Sequence, residues 1–257
     1  MNVVKPKKHL GQHFLTDKNI AARIVDSLTF SGYGSVLEVG PGTGILTRLL
    51  LQKNIGDFRV IELDPESVRY LADNFAGLNI ISGDFLKYGM EDYNDTRVAV
   101  IGNFPYNISS QILFKVLESK DEVVELVGMF QKEVAERISS GPGSRRYGIL
   151  SVFLRIYYNI EYLFTVPSTV FKPVPKVTSA VIRLRRNDIK EPGCNEQMLF
   201  RVVKATFNQR RKMIRNSLRA AFDIGDQPHG LLTKRPEQLG LEEFINLTNW
   251  VEKVIKN

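Results

Sequence analysis

Through the first two thirds of the chain, short runs of apolar and β-branched residues alternate with segments whose apolar positions recur every three or four residues. That alternation predicts parallel strands joined by crossover helices. Strands are expected at 35–39, 58–63, 78–82, 98–102, 126–130, 159–166 and 180–184. Helices are expected at 18–28, 45–52, 65–75, 109–118, 132–139 and 148–157. Seven strands with this spacing make an α/β fold with a doubly wound sheet.

After Arg186 the strand pattern stops, and residues 187–195, with Pro192 and Gly193, read as a linker. The remainder reads as helices at 196–207, 209–222 and 241–255, with a short turn at 236–239. Glu242 and Glu243 fall in the first turn of the last helix, where the helix dipole favours them. The expected division is therefore an α/β domain over 1–187 and a small helical domain over 188–257.

Composition narrows the class. The chain has 257 residues, 43% hydrophobic and 25% charged, which is ordinary for a globular protein. No apolar run approaches the roughly 18 residues that span a bilayer, so no membrane association is expected. The stretch before Asp17 lacks the apolar core of a secretory signal. Cys194 is the only cysteine, and His9, His13 and His229 lack metal-ligand spacing. The expectation is a reduced cytoplasmic protein, a monomer without a metal site. The net charge of +7 leans toward a polyanionic partner. Its cations cluster at Lys5, Lys7 and Lys8 and again at Arg210, Arg211, Lys212, Arg215 and Arg219.

The first strand runs into Glu38-Val39-Gly40-Pro41-Gly42-Thr43-Gly44, at the carboxyl end where open α/β sheets bind ligands. Ile45 stands where a dinucleotide fingerprint needs glycine, and no Gly-Lys-Ser/Thr follows, so neither pyrophosphate loop is present. A loop of this kind suits a nucleoside whose tail is not a phosphate chain, and S-adenosylmethionine meets that description. A tight glycine turn with no ligand is the plainer alternative. Two acids argue against it: Glu62 ends the second strand, where a carboxylate accepts ribose hydroxyls, and Asp84 ends the third, within reach of an adenine amine.

Strand four ends in Asn103-Phe104-Pro105-Tyr106. An exocyclic nucleobase amine is a poor nucleophile because its lone pair is delocalised into the ring. Acceptors at the Asn103 side chain and the Pro105 carbonyl would favour the pyramidal nitrogen of the transition state. Tyr106 is expected to stack on a base that has left its helical stack. A turn with a buried tyrosine is the structural alternative.

These motifs carry a resemblance to the small-subunit ribosomal RNA adenine dimethyltransferases, the KsgA type, and it extends over nearly the whole chain. Gly11-Gln12-His13-Phe14-Leu15 is similar to the family's amino-terminal motif, and the glycine loop, Glu62, Asp84 and Asn103-Phe104-Pro105-Tyr106 follow in family order. Gln131-Lys132-Glu133-Val134 and Phe171-Lys172-Pro173-Val174-Pro175-Lys176-Val177-Thr178-Ser179-Ala180-Val181 continue it. The resemblance implies a Rossmann-like methyltransferase sheet with His13, Leu15, Gly40, Gly42, Glu62, Asp84 and Asn103 at the cofactor. It also implies that Phe171 stacks on the target adenine opposite Tyr106. His13 replaces the usual asparagine, so its contact is by imidazole or by backbone, and Phe104 replaces the usual leucine.

The same core serves large-subunit RNA adenine methyltransferases, so the tail carries the choice of substrate. The run from Phe207 to Leu218, and Arg235-Pro236-Glu237-Gln238-Leu239, resemble the small-subunit type. Within a continuous helix, Arg211, Arg215 and Arg219 would share one face, suited to the phosphates of structured RNA. A merely solvated basic face is the alternative. The expected activity is transfer of methyl groups from S-adenosylmethionine to the N6 amines of two adjacent adenosines in the 3′-terminal hairpin loop of small-subunit rRNA. The partner would be the immature small ribosomal subunit. A non-catalytic assembly factor is the competing class.

Overall fold

A computed structural model describes residues 4–93 and 96–256. By packing, the chain divides into two compact units, Met1–Ala135 with Ile160–Arg186, and Glu136–Asn159 with Asn187–Asn257.

The first unit is built on a seven-stranded sheet. Its strands are β2 (Ser35–Val39), β3 (Asp57–Glu62), β4 (Asn79–Ser82), β5 (Val98–Asn103), β6 (Val123–Gln131), β7 (Tyr158–Val166) and β9 (Ser179–Arg186), in the order β4-β3-β2-β5-β6-β9-β7. The run from β4 to β6 is parallel, as the sequence pattern predicts. β9 departs from it, lying antiparallel against β6 with Gly128 opposite Ile182. A strand pattern shows which residues form strands but not the direction in which they pair, which the connection decides. All five residues of β2 are buried, as a central strand covered on both faces requires.

A second, two-residue ladder, outside the sequence expectation, pairs β1 (Phe14–Leu15) antiparallel with β8 (Phe171–Lys172). Strands this short carry no periodicity. The sheet helices are α1 (Lys18–Val25), α2 (Ile45–Leu50), α3 (Pro65–Asn74) and α4 (Ser109–Glu118), close to their expected places. Asp17 caps α1 by accepting from the N–H groups of Asn19 and Ile20 at 2.8 and 3.0 Å. Asp64 caps α3, with Pro65 at its first position.

The second unit is helical. α5 (Lys132–Ser139) leads into it, followed by α6 (Ile149–Tyr157), α7 (Glu196–Asn208), α8 (Ile214–Arg219) and α9 (Leu241–Ile255). The sequence pattern places Glu136–Asn159 with the α/β domain, but packing joins it to the C-terminal helices. The reason is its apolar content: α6 buries Val152, Phe153, Leu154, Ile156 and Tyr157, and Phe153 stacks on Phe200 of α7 at 3.7 Å. Tyr147 meets Phe207 edge-on at 5.9 Å.

The expected continuous helix over 209–222 is not formed. α7 ends at Asn208, a turn carries Arg210, Arg211 and Lys212, and α8 begins at Ile214. The three cations sit just past the carboxyl end of α7, where the dipole favours them. The break is stabilised by tertiary partners: Arg210 donates to the Ser144 carbonyl at 3.0 Å, and the Ile214 N–H to the Lys234 carbonyl at 2.9 Å. Arg211 therefore does not share a helix face with Arg215 and Arg219.

Because Phe153 is fully buried and stacked, Phe153→Ala should lower the unfolding free energy by about 3–5 kcal/mol. Urea denaturation followed by circular dichroism measures this.

Candidate active site

The sheet order reverses between β2 and β5, and a cleft opens at the carboxyl ends of the strands on either side, as expected at such a switch point. Gly40 and Gly42 follow β2, Glu62 ends β3, Asp84 follows β4, and Asn103 ends β5; all of them line this cleft. A segment from His9 to Phe14 closes one side. Gly42 has φ +57, and a Cβ there would lie 2.7 Å from the Phe14 ring, so glycine is what lets this segment approach.

Glu62 joins two pieces of backbone. Its Oε2 accepts from the Gly42 N–H at 3.0 Å and its Oε1 from the Asp64 N–H at 2.9 Å. Burial pushes its carboxyl above the usual range, and those two N–H groups pull it back. Asp64 also receives the Lys7 ammonium and the Gln12 amide, tying the amino-terminal segment to the same corner. Burial raises the Asp64 carboxyl, but Lys7 and the hydrogen bonds outweigh it and hold the group below its ordinary value. Glu38, one strand inward and 1% exposed, accepts from the Thr47 hydroxyl at 2.7 Å. Burial, with the Glu62 charge nearby, pushes it up to about 8.

At the end of β5, the Asn103 amide donates from Nδ2 to the His13 carbonyl at 2.8 Å. That bond fixes the amide plane and leaves Oδ1 as an acceptor with no partner among the described residues. The Pro105 carbonyl receives only long bonds, from the Ile108 N–H at 3.3 Å and the Ser109 hydroxyl at 3.4 Å. Phe104 is 1% exposed and lies against Gly102 and Gly128. A Cβ on Gly128 would fall 2.3 Å from the Phe104 ring, so the larger residue at 104 is seated in space that a glycine leaves.

Tyr106 hydrogen-bonds Ser179 Oγ at 2.6 Å and stacks on the His13 ring at 5.4 Å. Burial raises its phenol above the ordinary value, opposed by the Ser179 bond. The His13 imidazole is taken up by Tyr106 and by the Pro173 carbonyl, 2.7 Å from Nδ1. Asp84 caps the short turn 85–87 through the Leu86 N–H at 3.0 Å.

Two expected site residues are elsewhere. Leu15 and Phe171 are 3% and 1% exposed, pack in one apolar core cluster and pair across the β1–β8 ladder. Phe171 is thus buried in this structure, and the ring that stacks on Tyr106 is His13. The tail cations belong to the second unit. Arg210 is engaged by Ser144 and Glu237, Arg219 pairs with Asp226, and Arg211, Lys212 and Arg215 are exposed. Ser179, Lys7 and Gln12 stand in stretches that the sequence pattern marks, but their bonds to Tyr106 and Asp64 are site features it did not assign. Their partners are far away in the chain and no spacing announces them.

Among the described residues, the lining of the cleft contains the carboxylates of Glu62 and Asp84 and no lysine or arginine. Such a lining repels a phosphate chain and accepts a cation. With an unpartnered Asn103 acceptor and a glycine loop, it fits S-adenosylmethionine, whose sulfonium is positive. Fold and site together define an S-adenosylmethionine-dependent methyltransferase.

The profile described as ribosomal RNA adenine dimethylase matches residues 3–246. The chain belongs to that family. It is 53% identical to the ribosomal RNA small subunit methyltransferase A of Phocaeicola vulgatus, over 100% of this chain and 93% of that protein. It is 54% identical to that of Parabacteroides distasonis, over 96% and 94%. Among solved structures, a dimethyladenosine transferase from Plasmodium falciparum shares the fold, with a TM-score of 0.78 at 22% identity over 94% of this chain and 98% of that one. The 23S rRNA methyltransferase ErmE matches at TM-score 0.69 and 25% identity, over 93% and 99%.

The buried Glu38 predicts a pH dependence of stability. Its folded pKa near 8 lies above the ordinary 4.5, so the folded state binds the extra proton. Stability is then fully present below about pH 4.5 and falls as pH rises through 8. Glu38→Gln, which keeps an acceptor for Thr47, should flatten that fall in denaturation curves taken across this window.

Proposed function

We propose that this protein methylates the N6 amines of two adjacent adenosines in the 3′-terminal hairpin loop of small-subunit rRNA, to the dimethyl state. The observation that carries the reading is the Asn103 amide, oriented by the His13 carbonyl so that Oδ1 is the available acceptor. S-adenosylmethionine supplies an electrophilic methyl group when bound. Glu62 would hold its ribose hydroxyls and Asp84 its adenine amine, beside Gly40 and Gly42.

Asn103 Oδ1 and the Pro105 carbonyl accept the two N–H bonds of the target amine, drawing its lone pair out of conjugation. These hydrogen bonds strengthen as the nitrogen becomes positive, so they act on the transition state more than on the ground state. The surplus proton then passes to water. One N–H remains after the first transfer, and one acceptor suffices to hold the amine for a second. Tyr106, fixed by Ser179 and backed by His13, supplies the stacking surface for the extruded base.

In this reading the α/β unit performs methyl transfer and the helical unit grips RNA. Arg211, Lys212 and Arg215, exposed beside the end of α7, meet phosphates. The substrate particle is the immature small subunit in the cytoplasm, and the protein acts on it as a monomer, a reading supported by a cleft whose every lining residue comes from one unit of one chain. The small-subunit relatives at 53–54% identity favour this substrate over large-subunit RNA, to which ErmE offers the more distant likeness.

A labelled-methyl assay on immature small subunits against large-subunit RNA tests the substrate, with label expected only in the former. Asn103→Ala should lower turnover by on the order of a hundredfold or more, with a smaller loss of cofactor affinity by calorimetry. Near-normal dimethylation by this variant would remove the acceptor mechanism.

Neutralising Arg211, Lys212 and Arg215 should weaken RNA binding and make its log-log salt dependence shallower by about one unit per lost phosphate contact. Cofactor affinity should be unchanged. Identical slopes for wild type and variant would mean that these cations do not touch the RNA.

A further inference from the structure

Both ends of the loop 172–177 are tied to the tyrosine that receives the base. At its start, the Pro173 carbonyl accepts from His13 Nδ1 at 2.7 Å, and the His13 ring lies on Tyr106. Just past its end, Ser179 bonds the Tyr106 hydroxyl at 2.6 Å, and the Thr178 carbonyl accepts the Lys132 N–H at 2.9 Å. Pro175 is buried in mid-loop and Phe171 is buried before it, while Pro173 and Pro175 each restrict the backbone. The loop is thus held in place beside Tyr106 at its start, middle and end.

What this frame presents outward is unusual for a surface loop. Val174 and Val177 are 60% and 42% exposed, with the exposed cations Lys172 and Lys176 alternating with them in the chain. Neither valine contributes to the core, and among the described residues no acid pairs with either lysine. Apolar side chains interspersed with cations match the chemistry of an opened nucleic acid strand, which offers both base faces and phosphates.

We propose that the loop 172–177 is a wedge. It fills the gap left when the target adenosine leaves its stack, with Val174 and Val177 packing on the bases left behind and Lys172 and Lys176 meeting the adjoining phosphates. The proposal rests on the reading that the substrate is an RNA adenosine. Extrusion costs a few kcal/mol of lost stacking, and apolar side chains that replace the departed base recover part of it. Because the loop shares His13 and Ser179 with Tyr106, a wedge here acts next to the surface on which the extruded base lands.

The test uses the Val174→Ala/Val177→Ala double variant and reconstituted small-subunit particles of two kinds. One carries the natural sequence around a single target adenosine; in the other, the nucleotide on each side of the target lacks its base, so the target has no stack to leave. The variant should be slower than wild type by about tenfold in kcat/KM on the first particle and equal to it on the second, with unchanged cofactor affinity. Equal rates for the two proteins on the stacked particle, or the same loss on both particles, would overturn the wedge. Failure of the wild type to methylate either particle would instead overturn the adenosine reading on which it rests, and the wedge with it.

Discussion

The parallel pairing of β2 with β3 on one side and with β5 on the other is the constraint on which the site depends. Because the connections that leave the carboxyl ends of β2 and β5 run in opposite directions across the sheet, a cleft opens beyond those ends. Three carboxylates collect at this corner for that reason: Glu38 within β2, Glu62 at the end of β3 and Asp84 just past β4. Burial makes each costly unless hydrogen-bonded, and each has a donor in Thr47, in the Gly42 and Asp64 N–H groups, or in the Leu86 N–H. The corner is therefore lined by hydrogen-bonded carboxyl groups, of which Glu38 keeps its proton up to about pH 8, and it suits a cationic guest.

The amine-facing side is assembled from segments far apart in sequence. Asn103 is oriented by the carbonyl of His13, and His13 is itself placed by Pro173 and Tyr106. Ser179 completes the ring of contacts by holding the Tyr106 hydroxyl. An acceptor whose amide could rotate would lose much of its effect on a developing charge, because preorganisation is what makes such a group effective. The short β1–β8 ladder, with Leu15 opposite Phe171, keeps the two outer segments in register so that these contacts form together.

Charge is divided between the units. The cleft excludes lysine and arginine from its lining, whereas the turn after α7 gathers Arg210, Arg211 and Lys212 at the carboxyl end of a helix. Not every cation there is available to a partner. Arg210 is used to hold the loop at Ser144, and Arg219 faces Asp226. The net charge of +7 thus overstates the number of cations free to meet RNA phosphates.

Much of this protein follows from local chemistry. The strands of the sheet, the glycine loop at the end of β2, and the acids and Asn103 at successive strand ends are legible because strand period, turn residues and strand-end position are properties of a few neighbouring residues. What periodicity does not carry is who meets whom. The antiparallel direction of β9, the burial of Phe171, the stacking of His13 on Tyr106 and the transfer of α6 to the helical unit all arise from contacts between distant segments. The break between α7 and α8 is of the same kind, because its cations look like one continuous helix face until the Ser144 and Lys234 carbonyls offer their partners. Local sequence determined the elements and the chemistry at their ends; tertiary packing decided which side chains remained free to use it, since a hydrogen bond or a buried face given to a neighbour is no longer available to a ligand.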